Sequence, residues 1–179
     1  MVYAILTLVA LILFFNGLVV LGVYGGKQVV FINIGAGVLI AIIGLYLGLS
    51  DGLKAVGPTQ SVAAAASALT FALLYILLAG EVWAGTDFKG LGWYCFMGGI
   101  VMLLIGLGFA HVLGSTLISS SQYAVFWLIW ASLFFLFWAV WGLGKASWSK
   151  AAGYYTIFVA FFTCLYPTIA FITMGKFSW

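Results

Sequence analysis

Few side chains in this sequence could do chemistry, and they are scattered. The 179 residues hold one histidine, His111, three acids, Asp51, Glu81 and Asp87, and six lysines with no arginine. No two carboxylates are paired for general acid–base work. HExxH, GxSxG and a glycine-rich phosphate loop are all missing. Cys95 and Cys164 sit in apolar runs without metal-ligand spacing. They read as core residues, and one possible pair is weak support for a disulfide. The expectation is no catalytic residue, no metal ligand and no cofactor, hence not an enzyme. No basic patch is present to receive nucleic acid.

What stands out instead is one amide and a set of aromatic stripes. Val2, Leu6, Val9, Leu13 and Asn16 recur at steps of three or four, which puts them on one helix face. An amide that deep in an apolar segment needs a partner or a wet cavity. Phe71 and Tyr75 are spaced to share a face, and Tyr123, Trp127, Trp130, Phe134, Trp138 and Trp141 form a third stripe. Read from periodicity alone, such stripes pack helices together or face lipid. Interfacial tryptophan belts do not account for Trp130 and Phe134, which fall near the middle of their segment.

The elements that carry these residues must cross a membrane. Hydrophobic residues make up 66% of the chain, charged residues 5%, and mean hydropathy is +1.30. A soluble domain has roughly a quarter charged residues and too little interior to hide so much apolar surface. Six apolar stretches, roughly 2–23, 29–49, 61–80, 91–113, 123–143 and 152–174, are each near the ~20 residues that span ~30 Å of hydrocarbon. Period-2 alternation is absent, so these are helices rather than barrel strands. The N-terminal stretch lacks a preceding cation and a clear cleavage site, and reads as a first membrane helix.

The connections, Tyr24–Gln28, Ser50–Gln60, Glu81–Gly90, Gly114–Gln122 and Gly142–Ala151, are short. They predict antiparallel neighbours: an all-α integral membrane protein of six transmembrane helices arranged as three hairpins, one domain over 1–179. Lys27, Lys89, Lys145 and Lys150 fall on odd-numbered loops, against Lys54 and Lys176 on the other side. Positive-inside reasoning puts both termini outside the cytoplasm. Gly44 and Gly48, the glycines 98, 99, 106 and 108, and Ala63 to Ala66 read as close helix packing. Pro167 should kink the sixth helix.

The middles of all six stretches lack Asp, Glu, Lys and Arg, whereas coupled transporters usually place ionisable groups there. That favours passive movement of a neutral solute. Two other classes stay open: a membrane scaffold subunit that moves nothing, and a proton-coupled transporter using His111 or Glu81.

An ordered set of short segments then carries a family resemblance. N-G at 16–17, F-A-L-L-Y at 71–75, T-D-F-K at 86–89, W-Y at 93–94, W-L-I-W at 127–130 with an aromatic at 134, and T-C-L-Y-P at 163–167 run through nearly the whole chain. The sequence resembles the AmiS/UreI family of urea and short-chain amide channels. The resemblance implies a bacterial inner-membrane homo-hexamer among lipid, in which each protomer encloses its own pore. Carried over by position, the pore lining would be Leu6, Val9, Leu13, Asn16, Phe71, Tyr75, Tyr123, Trp127, Trp130 and Phe134. Urea or a short-chain amide would slide between aromatic faces. Asn16, the Tyr75 hydroxyl and the indole N–H groups of Trp127 and Trp130 would meet its edges. Ions, finding no compensating charge, would be rejected.

Two departures matter, the first for selectivity and the second for gating. The acid-gated members carry Trp where this chain has Phe134, and Glu where it has Val159. In the outer connections Ser50–Gln60 and Gly114–Gln122 the one acid is Asp51, and there is no histidine. A switch near neutral pH normally needs histidine, so little or no acid gating is expected.

Overall fold

The computed structural model describes residues 2–50, 58–112 and 121–175, and all regular structure among them is helical. Helix α1 is Val2–Val20. A short turn, Gly26–Val29, leads into α2, Val30–Leu49. Then follow α3, Pro58–Ala84, α4, Lys89–Phe109, and α5, Ser121–Phe137. The last crossing is α6, Ser149–Val159, and α7, Tyr166–Met174, joined without a break. Among the described residues, six helical segments are long and apolar enough to cross a membrane. With no water inside the bilayer, helices are how such segments satisfy their own backbone.

The outside of the bundle is as apolar as the inside. Ile40, Leu47, Leu91, Met102 and Val159 are completely buried, while Phe31, Leu49 and Ile172 are at least 74% exposed. A helix set that is apolar all round has lipid for a solvent. The expected boundaries hold to within about four residues for most segments, α1 ending at Val20 rather than 23 and α4 at Phe109 rather than 113, and two extensions bear on the polar ends. α3 runs on to Ala84, so Glu81 lies in its last turn rather than in a loop. The sixth span starts at Ala146 rather than near 152. In both cases the helix continues past the end of the apolar run, because its polar end reaches headgroup and water, where hydropathy no longer marks it.

Consecutive helices are neighbours, as the short connections require, but the tightest seams join α2 to α3, α4 to α5, and α1 to α6. Glycine makes each seam possible. A Cβ on Gly44 or Gly48 would sit 3.0 and 3.1 Å from the Cβ atoms of Ala68 and Ala65. One on Gly17 would sit 3.0 Å from the Gly153 carbonyl. One on Gly92 would fall 2.1 Å from the backbone nitrogen of Gly142. Small residues are the means by which helices associate when lipid offers no hydrophobic driving force.

Two spans contain π-helical turns, Trp138–Gly142 at the end of α5 and Ala160–Leu165 between α6 and α7. The second lies just before Pro167, which cannot donate to the ladder. The disruption expected from Pro167 thus takes the form of a widened turn. Asp51, Lys54, Lys176 and most of the connection 114–122 lie outside the described residues.

Candidate functional site

α1, α3 and α5 wall two cavities in successive turns, so the cavities lie end to end along the bundle. The smaller, about 40 Å³, is lined by Leu6, Val9, Ser67, Phe71, Trp127 and Trp130 among others, and lies toward the N-terminus of α1. The larger, about 500 Å³, reaches from Leu13, Asn16 and Tyr75 to Lys27, Thr86, Phe88 and Ser149 on the face that carries the odd-numbered loops. Val9 and Leu13 are one turn apart, so the wall between the cavities is about 6 Å thick at 1.5 Å per residue.

That wall is aromatic. The Phe71 ring meets Trp130 edge-on at 5.5 Å, Phe134 at 5.2 Å and Tyr75 at 6.1 Å, measured between ring centroids. Trp130 in turn packs against Trp127 at 4.8 Å. All but Trp127 are nearly sealed from the surface. Such pairs add roughly 0.5–1.5 kcal/mol each beyond the area they bury.

The two indole N–H groups in the smaller cavity are committed to the protein. Trp127 Nε1 donates to Ser67 Oγ at 2.7 Å, and Trp130 Nε1 donates to Thr163 Oγ1 at 2.8 Å. They are therefore not the free edge donors expected from the sequence. They fix ring orientation instead. Thr163 lies in the π turn of the sixth span and itself donates to the Val159 carbonyl at 2.7 Å. The Tyr75 hydroxyl is buried with no partner among the described residues. Tyr75 itself is among the residues that line the larger cavity.

Asn16 has found the partner its depth demanded. Its Nδ2 donates to Asn33 Oδ1 and its Oδ1 accepts from Asn33 Nδ2, both at 2.9 Å. Asn33, on α2, is a residue that the stripe argument passed over. A lone amide in an apolar run was the available signal.

Of the remaining expected lining, Phe134 and Tyr123 border neither of these two cavities. Phe134 stands behind Phe71, seated on Gly98, where a Cβ would come 2.6 Å from its ring. Tyr123 is 43% exposed and rests edge-on against Phe109 at 5.4 Å. Eight of the ten residues thus border one or the other of the two cavities, five the smaller and three the larger. The Phe134 seat is testable: Gly98→Ala should drive the ring toward Phe71 and destabilise the protein by about 1–3 kcal/mol, read as a lowered Tm in detergent.

At the wide mouth, Phe88 adopts a left-handed backbone with φ 59°. That conformation costs a non-glycine residue about 1–2 kcal/mol. Asp87 Oδ1 accepts from the Lys89 backbone N–H at 3.0 Å, and the Phe88 ring stacks on Trp141 at 5.7 Å. The T-D-F-K segment is thus a shaped turn that sets an aromatic at the cavity rim. Among the described residues, Lys27 is the one charged side chain lining either cavity.

Comparison with known proteins agrees with this architecture. The family model described as AmiS/UreI family transporter matches residues 1–175. A Rhodococcus erythropolis protein, AmiS2, assigned as a transporter, is 27% identical over 165 residues, covering 92% of this chain and 76% of that protein. The Helicobacter pylori urea channel in its closed state superposes with a TM-score of 0.82 at 20% identity, over 99% of this chain and 100% of that one. The crystal structure of the same channel gives 0.77, with the same identity and coverage. At that identity the likeness carries the fold. The match over nearly the full length carries the family: this chain belongs to the AmiS/UreI family of transporters.

Proposed function

We propose that the protein is a passive channel for urea and short-chain aliphatic amides, one passage per protomer, without an acid gate. The observation that carries this reading is the pair of end-to-end cavities separated by a thin neck of uncharged aromatic and aliphatic side chains. A neutral planar solute can exchange water for aromatic faces there. An ion would lose its hydration and gain no countercharge. Tyr75 and Asn16 supply polar groups at the wide side of the neck, few enough for binding to stay weak and exit fast. The ring size of six, the bacterial inner membrane and termini outside the cytoplasm belong to the same reading. In that orientation the larger cavity faces the cytoplasm.

The absence of an acid gate rests on the lining. Among the described residues no histidine or carboxylate borders either cavity. Stopped-flow light scattering on proteoliposomes with inward urea and acetamide gradients tests the proposal. Rapid, non-saturating flux with rates at pH 5 and pH 7.5 agreeing within about twofold is expected, since no histidine is there to titrate. A steep rise on acidification would overturn the ungated part. Accumulation driven by a pH gradient would mean coupled transport. No flux above empty liposomes, from folded oligomeric protein, would turn the assignment to a scaffold.

A further inference from the structure

The larger cavity is walled mostly by apolar side chains, yet its mouth is positive. Lys27 is exposed there and is the one charged side chain on the lining among the described residues. No described acid neutralises it. Glu81 and Asp87 do not line the cavity, and the Asp87 carboxylate accepts from the Lys89 backbone N–H at 3.0 Å. The helices leave that charge uncorrected. α2, α4 and α6 begin at this mouth while α1, α3 and the fifth span end at it, so their partial charges of about +0.5 and −0.5 offset one another.

The polar groups at the mouth suit a ligand that accepts. An ammonium has three donors and no lone pair. Ser149, which opens α6 and lines the same mouth, makes no side-chain hydrogen bond to the other described residues, so its hydroxyl is available to donate. Further along the wall come Val19, Val20, Leu78 and Val82, all aliphatic. A cation and a hydroxyl beside hydrocarbon, in about 500 Å³, match a small anion that carries a short apolar tail. An inorganic anion would leave that hydrocarbon in water.

We infer that the mouth of the larger cavity is a binding site for short-chain aliphatic carboxylates, with the carboxylate on Lys27 and Ser149 and the tail along Val19, Val20 and Val82, and that an anion seated there obstructs the passage. Hydrolysis of an aliphatic amide, RCONH2, by water breaks its C–N bond and releases RCO2− and NH4+. The solute class of the channel reading thus yields such an anion, whereas urea yields none with an apolar tail. The site is a product brake on the face that receives the solute. An exposed ion pair contributes little, so the brake acts only where product accumulates. The obstruction rests on the channel reading, and the binding does not.

Urea flux into proteoliposomes of zwitterionic lipid, with sodium butyrate at equal concentration on both faces near neutral pH, tests the obstruction. Each rate is taken relative to the same variant without carboxylate. Flux should fall as butyrate rises. The half-inhibiting concentration should drop about threefold per methylene from acetate to propionate to butyrate, a little under the gain for a fully buried methylene. Lys27→Gln should raise it about fivefold, the upper end for a partly exposed ion pair, and Lys27→Arg should keep it near the parent value. Lys145→Gln, which removes a lysine from the same face but not from the lining, should match the parent. Inorganic phosphate, an anion without a tail, should inhibit less than butyrate. Flux indifferent to butyrate, equal inhibition by phosphate, or equal loss of sensitivity in Lys145→Gln overturns the inference.

Saturation-transfer NMR from protein to butyrate methyl protons, in nanodiscs of the same lipid, reads binding without flux. Transfer that weakens in Lys27→Gln, in protein that passes no urea, upholds the site while the channel reading falls. Fast urea flux with transfer no different between the parent and Lys27→Gln overturns the site and leaves the channel reading standing.

Discussion

Replacing Trp130 by alanine should open the neck and cost the protein its size discrimination. The expected result is urea flux at or above the parent rate, with the ratio of urea to malonamide flux reduced about tenfold or more. That is the scale on which one methylene-sized change alters pocket discrimination. Trp130 closes one side of the smaller cavity and meets Phe71 edge-on. Removing a buried aromatic costs about 3–5 kcal/mol, so folding and oligomeric state must be verified first. Thr163→Val is the companion. It keeps the ring and removes the acceptor of its N–H, leaving a buried orphan donor that costs about 1–3 kcal/mol. An intermediate loss of selectivity is expected, because the ring then pivots. A Trp130→Ala protein that discriminates as the parent does would remove the neck from the mechanism.

The largest effect on stability should come from one methyl group. Gly92→Ala places a Cβ 2.1 Å from the Gly142 nitrogen, 2.5 Å from its Cα and 2.8 Å from the Trp141 carbonyl carbon. All three are backbone atoms, so no rotamer change relieves the clash. α4 and the π turn ending α5 must separate. That should exceed the 1–3 kcal/mol usual for overpacking and abolish the folded peak in fluorescence-detected size exclusion. Gly80→Ala is the control, with nothing within 4 Å of the added methyl. It should be neutral or stabilising by up to about 1 kcal/mol from helix propensity. A monodisperse, thermally normal Gly92→Ala protein would mean that the α4–α5 seam is wider than described.

The parts of this architecture that were readable from sequence are those set by the bilayer. Six runs of lipid-spanning length announce six helices, and the 3.6-residue period alone places Leu6, Val9, Leu13 and Asn16 on a common face. The aromatic residues 127 and 130 were legible for the same reason. What periodicity cannot convey is which faces meet across helices. The seam of α4 against α5 seats Phe134 on Gly98, outside the two cavities described, and Tyr123 rests against Phe109. Ser67 and Thr163 were silent because each also donates to its own helix four residues back, the usual way a hydroxyl hides in an apolar helix. The family resemblance supplied the candidate lining. It did not indicate that two indole N–H groups in that lining are held by those hydroxyls.

The inequality of the two cavities has a consequence for how the protein meets its membrane. In the proposed channel, with wide space reaching up to the neck from one face, a solute would cross an apolar wall about one helical turn long, ~6 Å, between the two cavities. In the proposed channel, resistance to diffusion would be concentrated in that stretch and in the cavity of about 40 Å³ beyond it, while the cavity of about 500 Å³ on the other side offers little. Longer or shorter lipid chains tilt helices and deform the bilayer around them. They do not change the distance from Val9 to Leu13. Permeability in the proposed passage would be insulated from hydrocarbon thickness, so a cell remodelling its lipids with temperature or growth phase would keep the same rate of solute entry.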